Sequence, residues 1–200
     1  MSLADYLLEK TAVYSLWQAP FVAAKLAPML AHNDIGSARR VLDVGCGPAT
    51  NTHLFAHADY LGIDVNPDYI KHARRKHDRR FVVADATTFD DPAAAGFDFI
   101  LINSFLHHMD TPSTNKILNR LQSWLSPDGH IHLLEPVSPG DRAIARFLAN
   151  WDRGRYLRPL AAWRELFDQH LDIVIFEPYP LGVLGATLWN MVYCKGRAKQ

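Results

Sequence analysis

The stretch that most constrains this chain runs from Arg39 to Ala49, R-R-V-L-D-V-G-C-G-P-A, taken together with L-G-I-D-V at residues 61–65. Val41, Leu42 and Val44 form a short apolar run that halts at glycines, the pattern of a buried parallel strand entering a tight turn. Gly45 and Gly47 lack a Cβ, so they can take positive φ and let a ligand lie against the backbone. Ala49, Thr50 and Asn51 can then open a helix, near 50–57, whose unbonded N–H groups face that ligand. A second strand, Tyr60 to Ile63, ends in Asp64, nineteen residues after Gly45. A carboxylate there, at the tip of the neighbouring strand, can accept from both hydroxyls of a ribose. Together these features point to a nucleoside ligand.

A strand, a glycine turn and a late Asp also describe a dinucleotide fold, but its G-x-G-x-x-G pattern needs a third glycine where this chain has Thr50. The stretch resembles instead the first motif of class I S-adenosylmethionine-dependent methyltransferases, hydrophobic-L-D-hydrophobic-G-x-G-x-G. Here it reads V-L-D-V-G-C-G-P-A, with Ala49 at the last glycine. The likeness continues through Asp64, F-V-V-A-D-A (81–86), F-D-F-I-L-I-N-S-F-L-H-H (97–108) and L-S-P-D-G-H-I (125–131), and covers about residues 39–136. It implies an α/β fold of the Rossmann-like, doubly wound kind: a mostly parallel seven-stranded sheet with an antiparallel final strand and helices on both faces. It implies S-adenosylmethionine as cofactor and S-adenosylhomocysteine as product. By the same resemblance Asp43 meets the methionine ammonium, directly or through water, Asp64 the ribose, and Asp85 the adenine amino group. Gly45, Cys46, Gly47, Val65, Ala86, Asn103 and Ser104 complete the implied cofactor set.

Two hundred residues suffice for one domain that buries roughly 70% of its unfolded surface. The formal net charge is zero, so no overall field draws the chain to nucleic acid, and none is expected as a partner. Two cysteines, Cys46 and Cys194, are too few for a disulfide framework or a zinc site. The start, M-S-L-A-D-Y-L-L-E-K, carries acids where a secretory signal carries basic residues, so a cytoplasmic location is expected. Residues 181–194 are mostly apolar, but fourteen residues fall short of the about 20 that span a bilayer, so no transmembrane segment is expected.

Four regions follow within the one domain. Residues 1–31 read as an N-terminal helical cap: Ser2 with Asp5 has capping-box spacing, and apolar residues recur over a helix from 3 to 31 that Pro20 and Pro28 divide or kink. In the resembled family such a cap folds over cofactor and substrate, which makes Tyr14 and Trp17 candidate pocket walls. Residues 39–136 form the cofactor-binding core, in which strands 39–44, 60–63, 80–84, 97–102 and 130–135 alternate with helices. Asn66 with Pro67, and Thr111 with Pro112, mark two helix starts. Residues 71–80, K-H-A-R-R-K-H-D-R-R, carry six Lys or Arg and read as a solvated helix face rather than a phosphate grip.

Residues 138–170 read as a helical insertion, a candidate substrate cap around W-D-R-G-R-Y-L-R-P (151–159). Arg153, Arg155 and Arg158 stand there among aromatic residues including Tyr156, a mixture suited to an acidic or phosphorylated group on an apolar body. The alternative is that these arginines face water or pair with nearby acids. Residues 171–195 close the chain with strands at Asp172 to Phe176 and Leu188 to Cys194. Without room for a crossover helix between them, they should pair antiparallel.

Methyl transfer requires the protein to hold a nucleophile in line with the S–CH3 bond, exclude water and, for a hydroxyl or protonated amine, accept a proton. His107 and His108, just beyond the fourth strand, are the candidate bases. The loop N-S-F-L-H-H lacks the N-P-P-Y or D-P-P-Y form that suits planar amides and base amines, so the expected acceptor is an oxygen, nitrogen, sulfur or carbon atom of a small molecule or lipid. No metal is expected. A nicotinamide oxidoreductase and a cofactor-binding subunit without turnover remain the alternatives, and the sequence is silent on oligomeric state.

Overall fold

The computed structural model describes residues 23–90, 95–138, 156–183 and 186–199. Seven strands, β1 (Arg40–Val44), β2 (Asp59–Asp64), β3 (Arg80–Val83), β4 (Phe97–Asn103), β5 (Leu125–Val137), β6 (Leu171–Val183) and β7 (Ala186–Ala198), form one sheet in the order β3-β2-β1-β4-β5-β7-β6. The pairs from β3 to β5 are parallel, whereas β7 runs antiparallel to both β5 and β6. The helices are α1 (23–31), α2 (Pro67–Lys76), α3 (Thr111–Trp124) and α4 (Leu160–His170). Sheet order, antiparallel ending and helices on both faces agree with the expected fold.

Alternation along the strands divides the core into two layers. Leu42 and Val44 of β1 pack with Ile117, Leu118 and Leu121 of α3 and with Trp163 and Phe167 of α4. Val41, one residue before Leu42 and so on the opposite face, packs with Leu26 and Met29 of α1 and Ile70 and Ala73 of α2. Both faces are therefore covered, which is why the parallel strands read as nearly continuous apolar runs. The helix starts follow local chemistry: Asn66 Oδ1 accepts from the Asp68 and Tyr69 amides with Pro67 at the first turn, and Asp110 Oδ1 accepts from the Ser113 amide.

Three local expectations are corrected. The helix near 50–57 is only a 3-10 helix, Thr52–Phe55, because Asn51 supplies no side-chain cap and the carbonyls of Ala56 and Ala58 are taken by the Arg79 guanidinium. In the basic run, Arg79 thus braces this connection and Arg74 donates to the Phe81 carbonyl, so two of its arginines serve packing. The last strand pair is longer than expected, since β6 continues through Pro178 and Pro180. As the outermost strand it loses no interior ladder bond to them, and prolines there blunt the open edge. No helix among the described residues is long and apolar enough to cross a membrane.

Candidate active site

The carboxyl ends of β1, β2 and β4 lie side by side, and the loops leaving them build the site. After β1 the amides of Gly45 and Cys46 both donate to the Ile63 carbonyl, at 2.8 and 3.0 Å, which folds the chain back over β2. Gly45 takes φ +70°, and a Cβ there would stand 2.5 Å from the Phe105 ring; Gly47 takes φ +54° with open space where its Cβ would be. The first glycine is thus required by contact and conformation together, the second by conformation alone. Ala49 is also left-handed, at φ 66°, so the position where the resembled motif carries its last glycine keeps that backbone here at about 1–2 kcal/mol of strain.

Asp64, at the tip of β2, ties this turn to the next helix. One carboxylate oxygen accepts from the Gly47 amide at 2.9 Å and the other from the Asn66 amide at 2.8 Å. The carboxylate keeps lone pairs beyond these two bonds and is only half-buried, beside Val65, an apolar side chain left 67% exposed. Asp43 is different: it is 1% exposed and accepts from the Tyr60 hydroxyl at 2.7 Å. Burial, opposed by that bond and reinforced by the charge of Asp64, pushes its carboxyl up to about 7. Cys46 is buried and its thiol is pushed up, first by burial and then by Asp43 and Asp64, which leaves it a protonated, unreactive group.

Asp85, beyond β3, is exposed, and its carboxyl is held down by bonds from the Thr87 amide and hydroxyl; Ala86 beside it is buried. At the end of β4, Asn103 Oδ1 is buried without a hydrogen-bond partner among the described residues. Ser104 follows at φ 55°, a strained non-glycine backbone of the kind that collects at functional sites.

The loop after Ser104 is organised by a residue that sequence reasoning passed over. Glu135 near the end of β5 is 0% exposed, and one oxygen accepts from the Phe105 and Leu106 amides at 3.0 and 2.7 Å. Its other oxygen accepts from the His107 amide at 3.3 Å and stands 2.8 Å from His107 Nδ1. The signal was an acid closing the apolar run I-H-L-L-E-P, a costly residue at a strand end unless donors surround it. Tyr60 and Phe105 escaped notice for a plainer reason: their contacts are long-range in sequence.

The candidate bases are brought together but not alike. Their rings lie 4.0 Å apart, His107 only 1% exposed and held by Glu135, His108 exposed. Tyr156 is brought beside them, its amide donating to the His107 carbonyl. Arg158, expected to face the acceptor, is 9% exposed, and its guanidinium is committed to the carbonyls of Leu106, Tyr156 and Met109. It does not stand at a surface, because those carbonyls and the Trp163 ring 4.8 Å away enclose it. Tyr14, Trp17, Arg153 and Arg155 lie outside the described residues.

A glycine turn, a half-buried carboxylate and an amide oxygen unpartnered among the described residues, all at one sheet edge, make an α/β site that fits a nucleoside-bearing ligand. A family model for the methyltransferase domain matches residues 41–129. The chain is 32% identical over 130 residues to a trans-aconitate 2-methyltransferase of Methylobacterium radiotolerans, covering 60% of this chain and 48% of that protein. It thus spans about half the length of the curated relatives it matches. Among solved structures, a SAM-dependent methyltransferase from Methanosarcina mazei superposes with TM-score 0.70 at 18% identity, covering 86% of this chain and 98% of that one. The N-methyltransferase NodS from Bradyrhizobium japonicum, solved with S-adenosylhomocysteine, gives 0.65 at 16% identity over 92% of this chain and 86% of that one. Residues 41–129 thus match a methyltransferase domain, and the site fits S-adenosylmethionine: Gly47 leaves open space, Asn103 Oδ1 lacks a partner among the described residues, and Asp64 can accept further hydrogen bonds.

Proposed function

We propose that this protein transfers a methyl group from S-adenosylmethionine to a nucleophilic atom of a small organic molecule. The observation that carries the reading is the convergence of the glycine turn, Asp64 and the Glu135-held loop on one sheet edge. When bound, the cofactor supplies a sulfonium methyl group already activated for direct displacement. Asp64 holds the ribose, Asp85 the adenine amino group, and Asn103 offers its unpartnered oxygen to a cofactor N–H. Gly45 and Gly47 keep the turn low against the ligand. Asp43, beneath the turn, balances the methionine ammonium.

The Asp43 assignment has a pH signature. With its carboxyl near 7, the ionised fraction falls as pH drops from 8 to 6, and affinity for an ammonium-bearing ligand should fall roughly tenfold with it. Stability moves the opposite way. Folding raises this acid above its unfolded value, so the folded state is relatively favoured at low pH and loses that advantage as pH rises through about 7. Calorimetric titration of S-adenosylhomocysteine at pH 6, 7 and 8 checks the binding slope. In Asp43→Asn the slope should vanish; a slope that persists assigns the titration elsewhere.

On the acceptor side, His108 is the exposed ring of the pair and takes the proton when the nucleophile is a hydroxyl or protonated amine. His107 holds the turn. The trans-aconitate relatives make a carboxylate oxygen the first acceptor to try. The deciding experiment measures S-adenosylhomocysteine formation against carboxylates including trans-aconitate, then hydroxyls, amines, thiols and lipids. Turnover with one group, about 10²- to 10⁴-fold slower in His108→Ala if a proton must be removed, supports the proposal. Cofactor binding without turnover on any group replaces it with a non-catalytic binding subunit.

A further inference from the structure

Arg158 and Glu135 grip the same turn from opposite ends. The turn is the 3-10 helix Leu106–His108, which follows Ser104 and Phe105. Its leading amides, on Phe105, Leu106 and His107, donate to the Glu135 carboxylate. Its trailing carbonyls are taken by Arg158: Nη1 donates to the Leu106 carbonyl at 3.2 Å and Nη2 to the Met109 carbonyl at 2.9 Å. An anion where the amides point and a cation where the carbonyls point complement the dipole of this turn. The two charges also feel each other, since Glu135 favours the protonated guanidinium against the burial that disfavours it.

The cationic half is anchored outside the nucleotide-binding half of the sheet. Arg158 opens the return of the chain into α4, stacks on Trp163 of that helix, and Trp163 Nε1 donates to the Pro136 carbonyl at 3.0 Å. The Ser138 amide donates to the Arg158 carbonyl at 2.8 Å, so the segment that leaves β5 is tied at its return. At the other end of the turn, the Phe105 ring is the surface on which Gly45 rests, within 2.5 Å of where a Cβ would be. Left-handed Ser104 lies between Phe105 and Asn103. One contiguous path of contacts therefore runs from Ser138, through Arg158 and the turn, to the glycine loop.

We propose that Arg158 is a positioning residue for methyl transfer: it fixes the loop after β4 so that the acceptor side and the cofactor turn keep one relative placement. The inference rests on the methyltransferase reading above. A planar fork of donors suits two carbonyls three residues apart, whereas a lysine ammonium has its three donors on one nitrogen and spans the pair less well.

The test compares wild type, Arg158→Lys and Arg158→Gln in full-length protein, using turnover with whichever acceptor the assay identifies, calorimetry of S-adenosylhomocysteine, and amide hydrogen exchange. In folded Arg158→Gln, kcat should fall by about 10²-fold with acceptor KM within about threefold, since misplacement by about 1 Å near the chemistry has effects of that size. Exchange at the amides of residues 105–107 should rise at least about tenfold while that of β1 and β2 stays unchanged. Arg158→Lys should recover only part of kcat. A rise in acceptor KM alone would mean that Arg158 contacts the acceptor, and would overturn the proposal. So would uniform exchange loss throughout the sheet, the mark of a merely stabilising residue. If no acceptor turns over in wild type, the methyltransferase reading fails separately. The exchange comparison in the S-adenosylhomocysteine complex then still decides whether Arg158 holds the turn.

Discussion

Glu135→Ala is expected to lower stability by about 3–5 kcal/mol, the range for breaking a buried ionic group away from its partners. The carboxylate is fully enclosed and receives three backbone amides and a histidine ring nitrogen. Removing it strands those donors where water does not reach, at roughly 1–3 kcal/mol for each one left unsatisfied. It also takes away the charge that offsets the burial of Arg158. For a chain of this size the melting temperature should drop by roughly 10 °C, since 1 kcal/mol corresponds to about 2–4 °C. Glu135→Gln keeps the shape but turns an amide NH2 toward donors at one oxygen position, and should recover less than half the loss. Urea unfolding followed by circular dichroism measures both. A loss below about 1 kcal/mol for Glu135→Ala would show that the loop rearranges to find other acceptors, and that Glu135 does not organise it.

Asp64→Ala should weaken S-adenosylhomocysteine binding by about ten- to a hundredfold, on the order of 1.4 kcal/mol per decade. Two effects add. The ribose hydroxyls lose a charged acceptor, each such bond being worth roughly 1.5–3 kcal/mol. The Gly47 and Asn66 amides lose the carboxylate that joins the glycine turn to the start of α2, so the turn is less well preorganised. Because Asp64 is half-exposed, water can replace it at those amides, and stability should change far less than affinity. Asp64→Asn separates the contributions: it retains an acceptor for one amide but loses the charge. Unchanged calorimetric affinity in a folded Asp64→Ala protein would remove Asp64 from the ribose assignment.

Those two residues also mark the limit of what could be read in advance. The placement of Asp64 was legible because it is set locally: a strand ends, a glycine turn precedes it by a set interval, and the parallel register puts both at one edge. Glu135 carries no such local pattern. Its donors lie 28 to 30 residues earlier in the chain, and only the pairing of β4 with β5 brings them under its carboxylate. Arg158 shows the same in reverse. Its composition, an arginine among aromatics, suggested a surface for an acidic ligand, yet folding delivered it to backbone carbonyls 49 and 52 residues away.

By itself the sequence determined the alternation of strands and helices, the sheet of the expected class, the glycine turn and the cap residues Asn66 and Asp110. Each of these is set by periodicity, backbone freedom or side-chain bonds within a few residues. Tertiary structure alone decided that the helix after the glycine turn shrinks to a 3-10 segment, that β6 runs on through two prolines, that His107 is buried while His108 is not, and that Glu135 and Arg158 hold the turn between them. The reason is physical: the desolvation of a buried charge, and the donors or acceptors that compensate it, depend on which distant strands become neighbours.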